Sequence, residues 1–139
     1  MKKFVALVLT LLMVMATSVA FAKDVKVLVN GEEIAFDTAP MADGENVWIP
    51  YRFVAEKIGA KVSWHHETKT VFTEYSGAII TTQIGNNLMF VNDTTYTLGN
   101  APRIVSDRTL VKGEVFENAL GAEVLWDAET STVTITTAQ

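Results

Sequence analysis

The sequence of 139 residues contains no cysteine and only two histidines, His65 and His66. Without cysteine the chain has neither disulfides nor thiolate zinc sites, and it lacks the residue that carries the lipid anchor of a lipoprotein. A metal site would also need carboxylates, because zinc takes three or four ligands, whereas adjacent residues of an extended segment point to opposite sides. We therefore predict no bound metal and no cofactor, and we expect His65 and His66 to lie in a solvated turn.

Basic residues are also scarce, with 11 Lys and Arg against 16 Asp and Glu. Two of the 11 are Lys2 and Lys3, so residues 23–139 keep 9 basic residues against 16 acidic ones, a net charge of −7. No cluster of basic residues remains in that part. Nucleic-acid binding needs cations that neutralise phosphates, and we therefore exclude a nucleic-acid partner.

Residues 1–22 have the pattern of a signal peptide. Lys2-Lys3 precede an apolar run from Phe4 to Ala16, and Ala20-Phe21-Ala22 gives the small residues that signal peptidase recognises. This pattern predicts cleavage after Ala22, no membrane association afterwards, and a secreted protein in the medium or at the cell wall. The alternative is an uncleaved membrane anchor, because Phe4 to Ala22 is just long enough to span a bilayer.

Residues 23–139 contain no long linker and read as one domain that repeats itself internally. Matching residues recur at a constant spacing of 62 (102 − 40, 121 − 59 and 126 − 64), namely Pro40 and Pro102, Gly59 and Gly121, and Trp64 and Trp126. A constant spacing without gaps indicates an internal duplication, with copies at about 24–75 and 86–137.

Each copy is predicted to form a β-hairpin, a short helix and a second β-hairpin. In the first copy, alternating apolar residues flank Asn30-Gly31, which is a strong hairpin signal. Residues 37–46 are predicted to be a loop because of their Pro, Gly and Asp content. The predicted fold class is α+β, mostly antiparallel β with two short helices.

The helix of each copy is bounded by recognisable signals. Pro50 suits the first turn of a helix, and Gly59 and Gly121 suit the left-handed position that ends one. Helical spacing defines one stripe of positions on each helix, apolar in the first copy and weaker in the second, where Gly113 and Glu117 replace Tyr51 and Ala55. These positions are Tyr51, Val54, Ala55 and Ile58 in the first copy, and Gly113, Phe116, Glu117 and Leu120 in the second. Arg52 and Glu56 lie four residues apart on the first helix and are expected to form an ion pair.

Several runs of residues carry a resemblance to a known family. Ile49-Pro50-Tyr51-Arg52-Phe53, Ala55-Glu56 and Ile58-Gly59-Ala60-Lys61-Val62-Ser63-Trp64 resemble the signature of the copper amine oxidase-like N-terminal domain, also called the stalk domain. Thr68-Lys69-Thr70-Val71 extends the match, and residues 120–127 and 130–133 resemble a second copy. The sequence departs from the family pattern at His65, where Asp is usual, and at Lys112-Gly113-Glu114, where Pro-Leu-Arg is usual.

The resemblance implies an extracytoplasmic, non-catalytic module with a twisted antiparallel sheet wrapped around a helix. In the amine oxidases themselves, copper and the quinone cofactor lie in a different domain, and nothing in this sequence resembles that domain. We therefore expect no enzymatic activity and no catalytic residues. The predicted function is a stalk or binding module of the bacterial cell envelope that contacts a wall polymer or an envelope protein. The alternative is a small secreted hydrolase or a metal-handling protein that uses His65 and His66.

Candidate ligand-binding residues are those in which the two copies differ. Residues shared by the copies build the fold, and we assign this structural role to Gly59, Trp64, Gly121 and Trp126, with both tryptophans expected in the core; Pro50 is assigned a structural role because it suits the start of the first helix. Residues present in the first copy alone are candidates for a ligand, because Trp, Tyr and Arg are enriched at binding hot spots. They are Trp48, Tyr51, Arg52, His65 and His66. The alternative for Trp48 and Tyr51 is that they only fill the core.

Overall fold

A computed structural model describes residues 24–138, so the expected signal peptide lies outside the described residues. The fold class is as predicted, mostly antiparallel β-structure with two short helices. The helices are α1 (Tyr51–Ile58) and α2 (Gly113–Leu120). The strands are β1 (Lys26–Val29), β2 (Glu32–Glu33), β3 (Met41–Asp43), β4 (Asn46–Pro50), β5 (Lys61–His65), β6 (Thr70–Tyr75), β7 (Ala78–Gln83), β8 (Leu88–Val91), β9 (Thr94–Thr97), β10 (Arg103–Val105), β11 (Arg108–Lys112), β12 (Glu123–Asp127) and β13 (Thr132–Thr136).

The strands form three sheets, and each sheet takes strands from both halves of the chain. We call residues 24–85 the first half and residues 86–138 the second half. The terminal sheet has the order β12-β13-β1-β2, and the hairpin sheet has the order β10-β11-β4-β3. The five-stranded sheet has the order β5-β6-β7-β8-β9. The pairing of β1 with β13 is parallel, with Lys26 opposite Thr132, and the other pairings are antiparallel.

The elements of the second half begin 62 residues after those of the first. Helix α2 follows α1 at this interval (113 − 51), and β12 follows β5 (123 − 61). Strand β7 is the exception, because it lies between β6 and β8, whereas β13 pairs directly with β1. The first half therefore contains one strand, β7, that has no counterpart in the second half.

Both helices end as predicted, at glycines in a left-handed conformation. Gly59 has φ 110° and Gly121 has φ 65°. In α1 the amide of Ala60 donates to the carbonyl of Ala55 at 2.9 Å, which satisfies a carbonyl that the end of the helix would leave unpaired. Neither helix is long and apolar enough to cross a membrane, and no other helix occurs in residues 24–138.

The buried face of α1 agrees with the prediction, and that of α2 agrees with it in part. Tyr51, Val54 and Ala55 are buried in α1. In α2 the buried residues are Val115, Phe116, Ala119 and Leu120, whereas Glu117 is exposed. The predicted positions Phe116 and Leu120 are thus confirmed, and the prediction is wrong at Glu117, which lies in solvent, where its charge keeps its hydration.

The loop predicted for residues 37–46 contains a strand. Met41–Asp43 pairs with Asn46–Pro50 across a turn at Gly44, where φ is 62°. A three-residue strand of mixed polarity shows no alternating pattern and is held by main-chain hydrogen bonds, so composition alone misses it. The hairpin predicted at Asn30-Gly31 is confirmed, with φ values of 49° and 87° that suit a type I′ turn.

Candidate functional site

An open groove lies between the five-stranded sheet and the hairpin sheet, with lining residues from both halves. Its volume is about 260 Å³. Strands β5 and β6 form one wall, the β10–β11 hairpin forms the other, and the start of α1 closes one end. The lining residues are Tyr51, Arg52, Val62, Trp64, His66, Val71, Ile104, Asp107, Arg108 and Thr109. The aliphatic side chains give the groove an apolar interior, and the charged groups include two arginines.

Tyr51 lies at the buried side of this groove and is fixed there by two contacts. Only 1% of the residue is exposed, and its hydroxyl forms a 2.8 Å hydrogen bond with the hydroxyl of Thr73. Its ring stacks on Phe116 at a centroid distance of 5.6 Å. Burial raises the pKa of Tyr51 to about 12, although the hydrogen bond with Thr73 acts in the opposite direction. Tyr51 is therefore a core residue whose surface reaches only the bottom of the groove.

Trp64 is not the core residue that its position in the sequence predicts. It is 38% exposed and lies on the wall of the groove, with the ring of His66 edge-on at 6.4 Å. By strand alternation its side chain is on the same face of β5 as Val62, and the groove between this face and the β10–β11 hairpin leaves it partly exposed. Trp126, 62 residues later, is half-buried and packs against the core.

Arg52 and Arg108 are the two basic groups of the groove that belong to a helix or strand. The predicted ion pair is confirmed, with Nε of Arg52 3.1 Å from Oε1 of Glu56. Arg108 donates from Nε to both carboxylate oxygens of Asp37, at 3.1 Å each, and Nη2 contacts Oδ2. The guanidinium of Arg108 lowers the pKa of Asp37, chiefly through this hydrogen bond, and the carboxylate raises the pKa of Arg108.

Part of each guanidinium group stays available. Glu56 takes only Nε of Arg52, and Asp37 takes Nε and Nη2 of Arg108. No other residue in 24–138 accepts from Nη1 or Nη2 of Arg52, or from Nη1 of Arg108. In addition, the first turn of α1 has no capping side chain and no acidic residue. This end of the groove therefore offers guanidinium N–H donors without an acceptor among residues 24–138, although the carboxylates of Glu56, Asp37 and Asp107 offset the charge of the two arginines.

The two histidines are exposed and face different neighbours. Nδ1 of His65 lies 3.0 Å from the hydroxyl of Thr68 in the β5–β6 turn, whereas His66 faces Trp64 and the groove. Among residues 24–138, no three His, Cys, Asp or Glu side chains form a group that could hold a metal ion. The histidines therefore do not act as a pair.

Trp48 belongs to a different surface from the other candidates. The guanidinium carbon of Arg103 lies 4.1 Å from the ring centroid of Trp48, a cation–π contact. Both residues line a separate cleft of about 390 Å³ that also includes Met41 and Asn100. The structure thus brings Tyr51, Arg52 and His66 together in the groove and places Trp48 and His65 outside it.

The corresponding positions of the second half are packed differently. Gly113 stands where the first half has Tyr51, and Val124 packs so closely that a Cβ on Gly113 would lie 2.8 Å from its Cγ1. Glu114 stands where the first half has Arg52, and its Oε1 accepts from the amides of Gly99 and Asn100 at 2.9 and 3.2 Å. Arg52 thus keeps N–H groups without an acceptor among residues 24–138, whereas Glu114, at the corresponding position, binds the loop at Gly99 and Asn100.

Sequence reasoning did not single out the residues of the β10–β11 hairpin that line the groove. Ile104, which is 41% exposed, and Arg108 face Trp64 from the opposite sheet. The comparison of copies contains their signal, because the residues 62 positions earlier are Ala42 and Asn46. The criterion that selected Arg52 considered the first copy alone, and it would have to be applied to the second copy as well to select these two residues.

Two comparisons with known proteins agree with this architecture. A protein of Brevibacillus choshinensis named "Protease inhibitor" is 30% identical over 121 residues, which cover 84% of this chain and 37% of that protein. The chain therefore spans little more than a third of the length of this relative. The family profile described as the copper amine oxidase N-terminal domain matches residues 28–135, which include every strand and helix except parts of β1 and β13. The chain belongs to the copper amine oxidase N-terminal domain family.

Proposed function

We propose that the chain is a non-catalytic binding module that acts outside the cytoplasm, in the bacterial cell envelope, and that the groove is its binding surface. The observation that carries this proposal is the exposure of Trp64 beside two ion-paired arginines that keep guanidinium N–H groups without an acceptor among residues 24–138. An exposed indole gains free energy when a ligand covers it, and a guanidinium N–H without a protein acceptor gains a charge-assisted hydrogen bond.

The difference between the two halves supports binding over a purely structural role. We infer that the recurrence at 62 residues reflects a duplication in which both copies kept the fold. The second copy anchors a loop with Glu114 and packs Val124 onto Gly113. The first copy keeps Arg52 and Trp64 at an open surface, which a spacer has no need to do.

The geometry gives no support to the alternative that uses His65 and His66 in hydrolysis. Nucleophilic catalysis requires a base within hydrogen-bonding distance of a nucleophile. The lining residue with a hydroxyl nucleophile is Thr109, apart from the buried phenol of Tyr51, and no hydrogen bond joins Thr109 to His66 in the part of the chain that the structure describes. His65 contacts Thr68 in an exposed turn. The expected export, from residues 1–22, makes a wall polymer or an envelope protein the candidate partner.

Cosedimentation with purified cell walls tests the proposal. The purified chain is compared with Trp64→Ala, which removes the exposed indole, and with Leu125→Ala, which removes an exposed apolar side chain (56%) of the second half. We expect the Trp64 variant to lose roughly tenfold in apparent affinity, as at a modest hot spot, and the Leu125 variant to bind as the parent does. Circular dichroism provides the control for folding.

Two results would contradict the proposal. The first is that wall preparations, both with their proteins and stripped of them, retain neither the parent nor the variants. The second is that Trp64→Ala binds as tightly as the parent.

A further inference from the structure

The groove combines a small apolar volume with free guanidinium donors at one end. Its volume of about 260 Å³ lies below the roughly 300–1,000 Å³ of pockets that enclose drug-sized ligands. It therefore has room for a single side chain or ring. Trp64, Ile104 and Val62 supply apolar contacts from both sheets, so this group is expected to be apolar.

The donors define the second part of the ligand. Nη1 and Nη2 of Arg52 present a planar fork, which matches the two oxygens of a carboxylate better than the single hydroxyls of a neutral sugar. Nη1 of Arg108 adds a third donor group from the opposite sheet. Because the volume of the groove is small, we expect the apolar group and the carboxylate to come from the same small unit.

We propose that the groove binds the C-terminal residue of a polypeptide, with an apolar side chain between Trp64 and Ile104 and the α-carboxylate on Arg52 and Arg108. In a C-terminal residue the side chain and the carboxylate are attached to the same Cα, so both groups fit into the small volume of the groove. Asp107 also lines the groove, and in this proposal its carboxylate accepts the amide N–H that precedes the ligand's carboxylate. This inference rests on the proposed function of the groove and adds the chemistry of its ligand.

Peptide titration followed by amide NMR spectra of the purified chain tests the inference. The probes are N-acetyl-Gly-Gly-Leu with a free carboxylate and the same peptide as a carboxamide. We expect saturable shifts for amides of β5 and β10 with the free acid, and at least roughly tenfold weaker binding of the carboxamide, because it lacks the charge that pairs with guanidinium. Added salt should weaken the binding of the free acid and leave the binding of the carboxamide unchanged.

Three variants locate the interaction. Arg52→Gln should abolish the preference for the free acid, and Arg52→Lys should keep part of it, because lysine retains the charge and loses the fork. Lys57→Gln is the matched control, since Lys57 lies on the same helix, pairs with Glu32 and does not line the groove. Arg52 is an exposed residue, so these variants are expected to fold.

Each remaining outcome would overturn the inference. Equal binding of acid and amide, or unchanged preference in Arg52→Gln, would show that no carboxylate is recognised, and the groove would still be a binding surface if Trp64→Ala loses wall retention. Chitohexaose that shifts β5 amides while the peptide acid does not would identify a sugar site. If Trp64→Ala changes neither peptide binding nor wall retention, both the inference and the proposed function are wrong.

Discussion

At the scale of single residues, Tyr51 shows how one hydroxyl group connects helix α1 to the five-stranded sheet. The side chain is buried, and its hydrogen bond reaches Thr73 of β6, which is itself fully buried. In a dry interior an unmade hydrogen bond costs more than a made one contributes, because the remaining partner has lost its water. The hydrogen bond therefore matters mainly because removing one hydroxyl leaves the other buried without a partner.

Replacing Tyr51 by phenylalanine is expected to cost roughly 1–3 kcal/mol of unfolding free energy, because it leaves the hydroxyl of Thr73 buried without a partner. The double variant Tyr51→Phe/Thr73→Val removes both polar groups and should be more stable than Tyr51→Phe alone. Urea unfolding of the parent, both single variants and the double variant measures the coupling. Additive effects would show that the hydrogen bond is energetically unimportant.

The same residue predicts a dependence on alkaline pH. Burial raises the pKa of Tyr51 from 10.0 to about 12, so the folded protein favours the neutral phenol. The contribution to stability is complete below pH 10 and is lost as the pH rises through the folded pKa. The difference in unfolding free energy between the parent and Tyr51→Phe should be constant below pH 10 and shrink between pH 10 and 12. A difference that stays constant over this range would contradict the raised pKa.

Sequence patterns predicted which neighbouring side chains on a helix pair with each other better than they predicted how deeply a side chain is buried. The Arg52–Glu56 pair was predictable because four-residue spacing on a helix fixes the distance between the side chains. The exposure of Trp64 was not, because it depends on the distance of the β10–β11 hairpin from β5. Trp126 has the same local sequence pattern and a different degree of burial, which shows that the local pattern does not decide it.

At the scale of elements, the two helices end in related but different ways. Gly121, with φ 65°, lies in the left-handed region that other residues occasionally adopt, whereas Gly59, with φ 110°, lies beyond it. A Cβ at either glycine would meet no atom within 4 Å. The cost of a substitution there is therefore one of backbone conformation alone.

Gly121→Ala is expected to cost about 1 kcal/mol and Gly59→Ala more, up to roughly 3 kcal/mol, because φ 110° is strained for any residue with a Cβ. Gly121→Asn should recover part of the loss, since asparagine tolerates the left-handed region. Thermal and urea unfolding give the order of stabilities. If Gly59→Ala is no less stable than Gly121→Ala, the difference in φ has no energetic consequence.

Elements that carry their own local signals were predictable from the sequence. Asn30-Gly31 and the two helix-ending glycines require positive φ, and few residues supply it. Strands β3 and β10, of three residues each, have no such signal and form because β4 and β11 provide partners. The buried face of α2 also depends on a neighbouring strand, because Val124 of β12 packs directly against Gly113.

At the scale of the whole molecule, both halves build every sheet. The terminal sheet joins β12 and β13 to β1 and β2, and the other two sheets combine strands of both halves in the same way. Neither half therefore contains a complete sheet or a complete core. This arrangement follows from pairings between residues more than a hundred positions apart, such as Lys26 and Thr132, which no short-range pattern predicts.

We expect the two halves to be unfolded when expressed separately, and the whole chain to unfold in a single cooperative transition. Fragments 24–85 and 86–138 should show no dispersed NMR signals alone and should recover them when mixed. Calorimetry of the whole chain should give equal calorimetric and van't Hoff enthalpies. Independent folding of either fragment would contradict the shared-sheet arrangement.

The parallel pairing of β1 with β13 determines how the molecule bears a mechanical load. In a parallel pair, tension applied through Asp24 and Ala138 pulls the two strands in opposite directions along their length. All the hydrogen bonds between them are then loaded together in shear, instead of one after another. Handles at Gly31 and Ala138, at the same end of the strands, would peel the pair open. Single-molecule pulling should need a higher force in the first geometry than in the second, and equal forces would show that the β1–β13 pair does not determine the mechanical resistance.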